Sequence, residues 1–268
     1  MVRAKKRLGQ HFLHHRAILE RIADALAPAP DDLVLEIGPG QGAFTSILVE
    51  RGARVSAIEK DAELAALVTE RVPKARIVPG DALALDWRQV AKANPADRLL
   101  VTGNIPYQIT SPLLAKALEP PLPRRIVFLV QEEVADRLGA KTGSADYGAL
   151  TVGVQVIADV EKLFRVPAGA FHPRPKVDSA VVRLTPRPAP LLSEDLRPAF
   201  RKLVVGLFGF RRKQLARGLR ELTGWTAERV SAVLTRVELD PQIRPECLGP
   251  AAFVALLAAL IDAGWNRD

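Results

Sequence analysis

Asn104-Ile105-Pro106-Tyr107 stands two residues after the apolar run Leu99-Leu100-Val101. That run reads as a buried strand, so the tetrapeptide falls at the strand's C-terminal end, where ligands bind in an open α/β sheet. Its residue types suit chemistry on the exocyclic amine of a base. Such a nitrogen is a poor nucleophile because its lone pair is delocalised into the ring. The side-chain oxygen of Asn104 and the carbonyl of Ile105 can accept its two N–H bonds and favour a pyramidal, nucleophilic nitrogen. Pro106 stiffens the turn, and Tyr107 offers a ring face to a base or to developing positive charge. The plainer alternative is a proline turn with a buried tyrosine, and the tetrapeptide alone does not separate the two.

The elements that must position it alternate. Apolar spacing predicts a helix over 16–27 with Ile18, Leu19, Ile22, Ala23 and Leu26 on one face. Strands are predicted at 33–37, 54–59 and 75–79, with helices over 43–51 and 61–71 between them. The strand ending at Asn104 is the fourth, and Ile126 to Val130 gives a fifth. This βαβαβ pattern implies a doubly wound, Rossmann-like, mostly parallel α/β sheet, completed by strands near 151–160 and 178–184. Thr185 to Pro190 carries three prolines and reads as a linker. Helices are expected beyond it over 196–208, 211–222, 227–234 and 251–263. The expected organisation is a catalytic domain at 1–185 and a small all-α domain at 186–268.

A second group of residues sits at successive strand ends. Gly38-Pro39-Gly40-Gln41-Gly42 is a glycine-rich turn between strand and helix, where a ligand can approach the backbone closely. Its G-x-G-x-G spacing differs from the G-x-G-x-x-G of dinucleotide sites. No diphosphate needs cradling if the ligand is S-adenosylmethionine, whose amino-acid end can pass over the glycines. Glu59 ends the second strand and suits acceptance from ribose hydroxyls; Asp81 ends the third and can read an adenine amine. Either acid alone is more simply a helix cap or a surface acid. Together with Asn104 they form a methyl-donor constellation.

Composition narrows the partners. The 268 residues carry a net charge of +8, which suits a polyanion such as nucleic acid. The single cysteine, Cys247, excludes an internal disulfide and fits a reducing compartment. The uncharged stretch near the end falls short of a membrane span, and the charged start lacks an apolar signal core, so a cytoplasmic protein is expected. His11, His14 and His15 do not make a metal site, with no cysteine near them. Lys213, Arg217 and Arg220 repeat at i, i+4, i+7. Such a stripe is often only a solvated helix face; beside Arg211, Arg212 and the basic arm Arg3, Lys5, Lys6 and Arg7 it reads as a phosphate-contacting surface.

Several stretches together carry a family resemblance: Lys6 to Leu13, Leu35 to Thr45, Gly80-Asp81-Ala82, Asn104 to Tyr107, Gly143-Ser144 with Asp146-Tyr147-Gly148, Phe171 to Val181, and Phe208 to Leu215. Across nearly its whole length the chain resembles the small-subunit (16S) ribosomal RNA adenine N6,N6-dimethyltransferases, whose wider family includes the macrolide-resistance methyltransferases of the large subunit. The resemblance implies a class I methyltransferase fold and dimethylation of adenosines near the 3′ end of small-subunit RNA, within an immature 30S-type particle. It implies S-adenosylmethionine as cofactor. A monomer is the default expectation, since the sequence shows no exposed apolar heptad. Cofactor contacts are implied at His11, Leu13, Gly38, Gly40, Glu59, Asp81, Ala82 and Asn104. The catalytic set is Asn104, Ile105, Pro106 and Tyr107, with Phe171 closing on the second face of the base; without its proline-rich frame Phe171 would read as a core aromatic. His11 stands where many members have Asn, so its contact is either a ring nitrogen or the backbone.

Three rivals remain. A large-subunit enzyme would usually have a shorter tail than this one. A DNA adenine methyltransferase would carry a second proline at the position of Ile105. A ribosome-assembly or transcription factor could keep the fold for binding alone.

Overall fold

The computed structural model describes residues 5, 8–94, 97 and 99–265. Strand β1 (Phe12–Leu13) precedes helix α1 (Arg16–Leu26). The alternation then runs β2 (Leu33–Ile37), α2 (Ala43–Glu50), β3 (Arg54–Glu59), α3 (Ala62–Arg71), β4 (Arg76–Pro79), α4 (Trp87–Ala91), β5 (Leu99–Asn104), α5 (Thr110–Ala117) and β6 (Arg125–Gln131). It continues through α6 (Glu132–Leu138), α7 (Ala149–Gln155), β7 (Ala158–Val166), β8 (Phe171–His172) and β9 (Ser179–Pro186). The final helices are α8 (Arg197–Gly209), α9 (Leu215–Thr223), α10 (Ala227–Arg236) and α11 (Pro250–Asp262). None of the helices among the described residues is long and apolar enough to cross a membrane.

Seven strands form one sheet in the order β4-β3-β2-β5-β6-β9-β7, and β1 pairs with β8 in a separate antiparallel ribbon. The strands from β4 to β6 are parallel, while β9 runs antiparallel to β6. All five residues of β2 are buried, as a central strand covered on both faces requires. The chain reverses strand order at β2, between β3 and β5, so the crevice of the switch point opens beside the glycine turn and Asn104. Gly103 allows that crevice to close tightly: a Cβ there would stand 2.5 Å from the Ile37 carbonyl oxygen.

The chain divides into two compact units. One comprises residues 1–135 and 160–186; the other joins 136–159 to 187–268. The second unit is therefore built from two stretches. Its first stretch supplies Tyr147, fully buried, whose hydroxyl donates to the Leu248 carbonyl at 2.7 Å. The Tyr147 ring meets Phe208 edge-on, and Phe208 stacks on Phe253. The Gly143 to Gly148 segment thus serves construction of this unit.

Two expected elements differ. Residues 149–155 are helical, not the start of a strand, and β7 begins only at Ala158. The helix is fixed at its start, where Gly148 N–H donates to Thr151 Oγ1, which itself donates to the Arg137 carbonyl. The helix expected from residue 211 begins at Leu215, because Phe210 to Lys213 form a turn closed by Lys213 N–H on the Phe210 carbonyl.

A Gly103→Ala substitution cannot be relieved by a side-chain rotation, since the obstacle is backbone. It is expected to cost about 2–3 kcal/mol, read as a lower urea midpoint; an unchanged midpoint would show that β2 and β5 separate without penalty.

Candidate active site

The glycine turn is held open by its backbone. Gly38, Gly40 and Gly42 all have positive φ, at 70°, 58° and 84°. At Gly40 a Cβ would also press on the Phe12 ring at 3.0 Å. Gly38 N–H donates to the Ile58 carbonyl, which ties the turn to the exit of β3.

Glu59 ends β3 and is buried. One carboxylate oxygen accepts Gly40 N–H at 3.1 Å and the other accepts Asp61 N–H at 2.9 Å. Each oxygen keeps a lone pair for a further donor, which fits a vicinal diol. Burial raises its pKa, partly offset by those backbone donors. Asp81 is more exposed. Lys60 Nζ on one oxygen at 2.7 Å and Leu83 N–H on the other at 2.9 Å hold its carboxyl below the usual range. Gly80, Asp81 and Ala82 line the same cleft as Glu59, Gly38 and Asn104.

Asn104 stands at the end of β5, as its position in the sequence implies. Its Nδ2 donates to the His11 carbonyl at 2.7 Å. A carbonyl can only accept, so this bond fixes the amide with Oδ1 as the group left to face the cleft. The Ile105 carbonyl accepts no hydrogen bond from the described residues, so two acceptors stand one residue apart. The Pro106 carbonyl accepts Ile109 N–H, which closes the turn.

Tyr107 is braced from two directions. Its hydroxyl bonds Ser179 Oγ at 2.9 Å, and its ring lies 24° from the plane of the His11 ring with centroids 6.0 Å apart. His11 Nδ1 lies 2.7 Å from the Pro173 carbonyl, so that nitrogen carries the proton. Pro173 and Ser179 were not singled out from the sequence as site residues. The signal was present, since both lie inside the Phe171 to Val181 motif.

The lid expected of Phe171 is not what the ring forms. Phe171 is 5% exposed, sits opposite Leu13 in the β1–β8 ribbon, and belongs to the apolar cluster containing Leu19 and Ile22. It does not line the cleft that holds Tyr107. Burial of a phenylalanine side chain, about 2–3 kcal/mol, keeps it there. The ring beside Tyr107 is that of His11.

Several basic residues serve structure. Lys5 Nζ binds Asp61 at 2.7 Å and Glu63 at 3.1 Å, so its charge is shared with two carboxylates of the chain itself. Gln10 also donates to Asp61, and the Asp61 side chain is only 1% exposed. Burial works to raise the Asp61 pKa, but the bonds from Lys5 and Gln10 outweigh it and hold the carboxyl low. This pins the arm whose residues Leu8 to Phe12 wall the cleft. Lys6 and Arg7, like Arg3, lie outside the described residues. Arg211 is likewise spent, on Glu246 and the carbonyls of Ser144 and Ala145. Lys213 pairs with Glu221 at 2.9 Å. Arg212, Arg217 and Arg220 are exposed and enter no ion pair with the described residues.

The chain is similar to known proteins. The sequence model described as ribosomal RNA adenine dimethylase matches residues 1–244. A protein named ribosomal RNA small subunit methyltransferase A from Geobacter metallireducens is 40% identical over 268 residues, covering 98% of each chain. Its namesake from Nitrosococcus oceani is 43% identical over 258 residues, 95% of each. The crystal structure of a dimethyladenosine transferase from Plasmodium falciparum superposes with a TM-score of 0.84 at 27% identity, covering 95% of this chain and 99% of that one. The 23S rRNA methyltransferase ErmE gives a TM-score of 0.70 at 30% identity, covering 93% and 99%.

One acid of the site should register in stability. Glu36 in β2 is buried with Thr45 Oγ1 donating to it at 2.7 Å. Burial, with a smaller push from Glu59, raises its pKa to about 7. A raised carboxyl pKa means the fold resists ionisation, so the penalty is absent below pH 4.5, grows toward pH 7 and is constant above it. Glu36→Gln should therefore match the wild type in acid and exceed it by about 3 kcal/mol above pH 7, measured by denaturant unfolding across pH. A pH-independent difference would refute this.

Proposed function

The chain belongs to the ribosomal RNA adenine dimethylase family, and from that premise we propose that it transfers methyl groups from S-adenosylmethionine to the N6 amines of adenosines near the 3′ end of small-subunit ribosomal RNA. The observation that carries this reading is the amide of Asn104, turned by the His11 carbonyl so that Oδ1 and the Ile105 carbonyl are left as acceptors beside the Glu59 and Asp81 cleft. S-adenosylmethionine supplies an electrophilic methyl on a sulfonium centre. Glu59 takes the ribose hydroxyls, Asp81 the adenine amine, and Gly38, Gly40, Leu13, Ala82 and the His11 backbone line the path. A target adenosine leaves its stack to reach the strand end. Asn104 and Ile105 accept its amine hydrogens, and Tyr107 lies along the base. Rate comes from positioning and fixed dipoles, and the proton leaves to water once the nitrogen is cationic.

Small-subunit RNA is favoured over large-subunit RNA by the relatives that match nearly end to end, whose names specify the small subunit. The ErmE structure, of comparable identity, superposes less well than the dimethyladenosine transferase. We propose further that the substrate is an immature 30S-type particle in the cytoplasm, engaged by residues 187–268, and that the enzyme acts as a monomer. Support for the last point is that only three large apolar side chains among the described residues are exposed, Val177, Leu191 and Val205.

The test is methyl transfer from labelled S-adenosylmethionine to unmethylated small subunits, with large subunits in parallel, followed by nucleoside analysis. Dimethyladenosine is expected in the small subunit alone. Asn104→Ala should cut turnover by about 100-fold or more while leaving cofactor affinity within about threefold. Label confined to large subunits would move the chain to the resistance branch. No label with intact cofactor binding would leave a binding factor, and unchanged turnover in the variant would remove Asn104 from its role.

For the RNA surface, joint replacement of Arg212, Arg217 and Arg220 by Gln should weaken binding to small-subunit RNA about tenfold and flatten the salt dependence by about two counterions. Arg211→Gln should instead lower the unfolding midpoint. An unaltered salt slope in the triple variant would exclude these arginines from the interface.

A further inference from the structure

Asp81 follows β4, an edge strand in which none of the four residues is buried. Packing of the strand therefore does little to fix the acid beyond it. Two side chains from other elements do more. Trp87, at the start of α4, donates its indole Nε1–H to the Ala82 carbonyl at 2.8 Å. Lys116, in the last turn of α5, donates from Nζ to the Leu83 carbonyl at 2.8 Å. The two peptide groups so gripped are the ones that hold Asp81. The first, between Ala82 and Leu83, turns its N–H to Asp81 Oδ1 at 2.9 Å. The second, between Leu83 and Ala84, turns its N–H to the Asp81 carbonyl at 3.0 Å. Trp87 is buried, so packing alone accounts for its place. Lys116 is half-buried, and its ammonium enters no ion pair with the described residues. Ordering so flexible a side chain on a neutral carbonyl costs entropy that one hydrogen bond little more than offsets. Stability does not account for it.

We infer that Lys116 is a positioning residue for the adenine end of the methyl donor, acting through the Leu83–Ala84 peptide to fix Asp81. The assignment rests on the methyl-donor reading above. A cation on a peptide carbonyl polarises that peptide and strengthens the bond its N–H makes. Here that bond closes on the backbone of Asp81, and so sets where its carboxylate stands. The Lys116 charge also helps hold the Asp81 carboxyl low, after the larger effects of Lys60 and the Leu83 N–H. The helix that carries Lys116 begins at Thr110, three residues past Tyr107. The element leaving the base-facing turn thus reaches across to the acid that reads the cofactor's amine.

Titration calorimetry with S-adenosylhomocysteine and with S-inosylhomocysteine, which has a carbonyl in place of the adenine amine, tests this. The wild type should prefer the amine-bearing ligand by about 10- to 100-fold. Lys116→Met should reduce that preference by about three- to tenfold, weakening the amine-bearing ligand alone. Lys116→Arg keeps a cationic donor and should recover most of it. Leu85, Trp87 and Lys116 line one cavity of about 370 Å³, so neither side chain is crowded there, and the unfolding midpoint confirms folded variants. Asp81→Ala should abolish the preference, and Lys116→Met added to it should change nothing further. Equal weakening of both ligands, an undiminished preference, or a further loss in the double variant would overturn the assignment. Equal wild-type affinity for the two ligands would remove Asp81 as the amine reader and the role of Lys116 with it. Failure of the wild type to bind either ligand would instead overturn the methyl-donor reading itself.

Discussion

The bond from the Asn104 amide to the His11 carbonyl decides what the end of β5 presents to a base. With Nδ2 committed to a carbonyl, the amide cannot turn, and its acceptor oxygen becomes a fixed feature of the crevice. Everything near it secures that bond. His11 is held by Pro173 through its ring and by the β1–β8 ribbon that starts one residue later. The arm before His11 is held by Lys5 and Gln10 on the buried Asp61, whose own N–H supports Glu59. Tyr107 is anchored to Ser179. Segments separated by up to about 160 residues thus converge on one strand end, which preorganises the acceptors before any base arrives.

Four acids at neighbouring strand ends and turns are given different characters by their surroundings. Asp61 is buried yet kept low by an ammonium and an amide. Asp81 is half-buried and low because Lys60 shares it. Glu59 is buried and raised but carries two backbone donors. Glu36, with a single hydroxyl donor, is raised furthest into the neutral range. Under the proposed function the same functional group is a tether in Asp61, an amine reader in Asp81 and a hydroxyl reader in Glu59, according to how many donors reach it and how far it is from water.

Much of this was legible in the sequence because parallel strands buried on both faces are nearly continuous apolar runs, and because glycine turns and acids recur at their ends. Strands β2 to β6, helices α1 to α3 and the places of Gly38, Glu59, Asp81 and Asn104 follow directly, whereas α4 and α5 were not predicted. Residues 149–155 misled because Val152, Val154 and Val156 alternate as a strand would, whereas tertiary packing and the Thr151 bonds impose a helix. Phe171 and Arg211 misled for another reason. Pattern gives residue type and spacing, but not whether an aromatic is drawn into a core or a cation is claimed by Glu246. The β1–β8 ribbon, two residues on each side, is too short for any periodicity to announce it.

The unit containing residues 187–268 also needs residues 136–159, where Tyr147 reaches the Leu248 carbonyl. A module with that layout cannot be gained or shed by lengthening or trimming one end of a gene. Exchange between relatives would need three matched junctions, at 135/136, 159/160 and 186/187. The helical unit and the sheet are therefore expected to be inherited together, and variation in target choice to accumulate through surface residues rather than through domain shuffling.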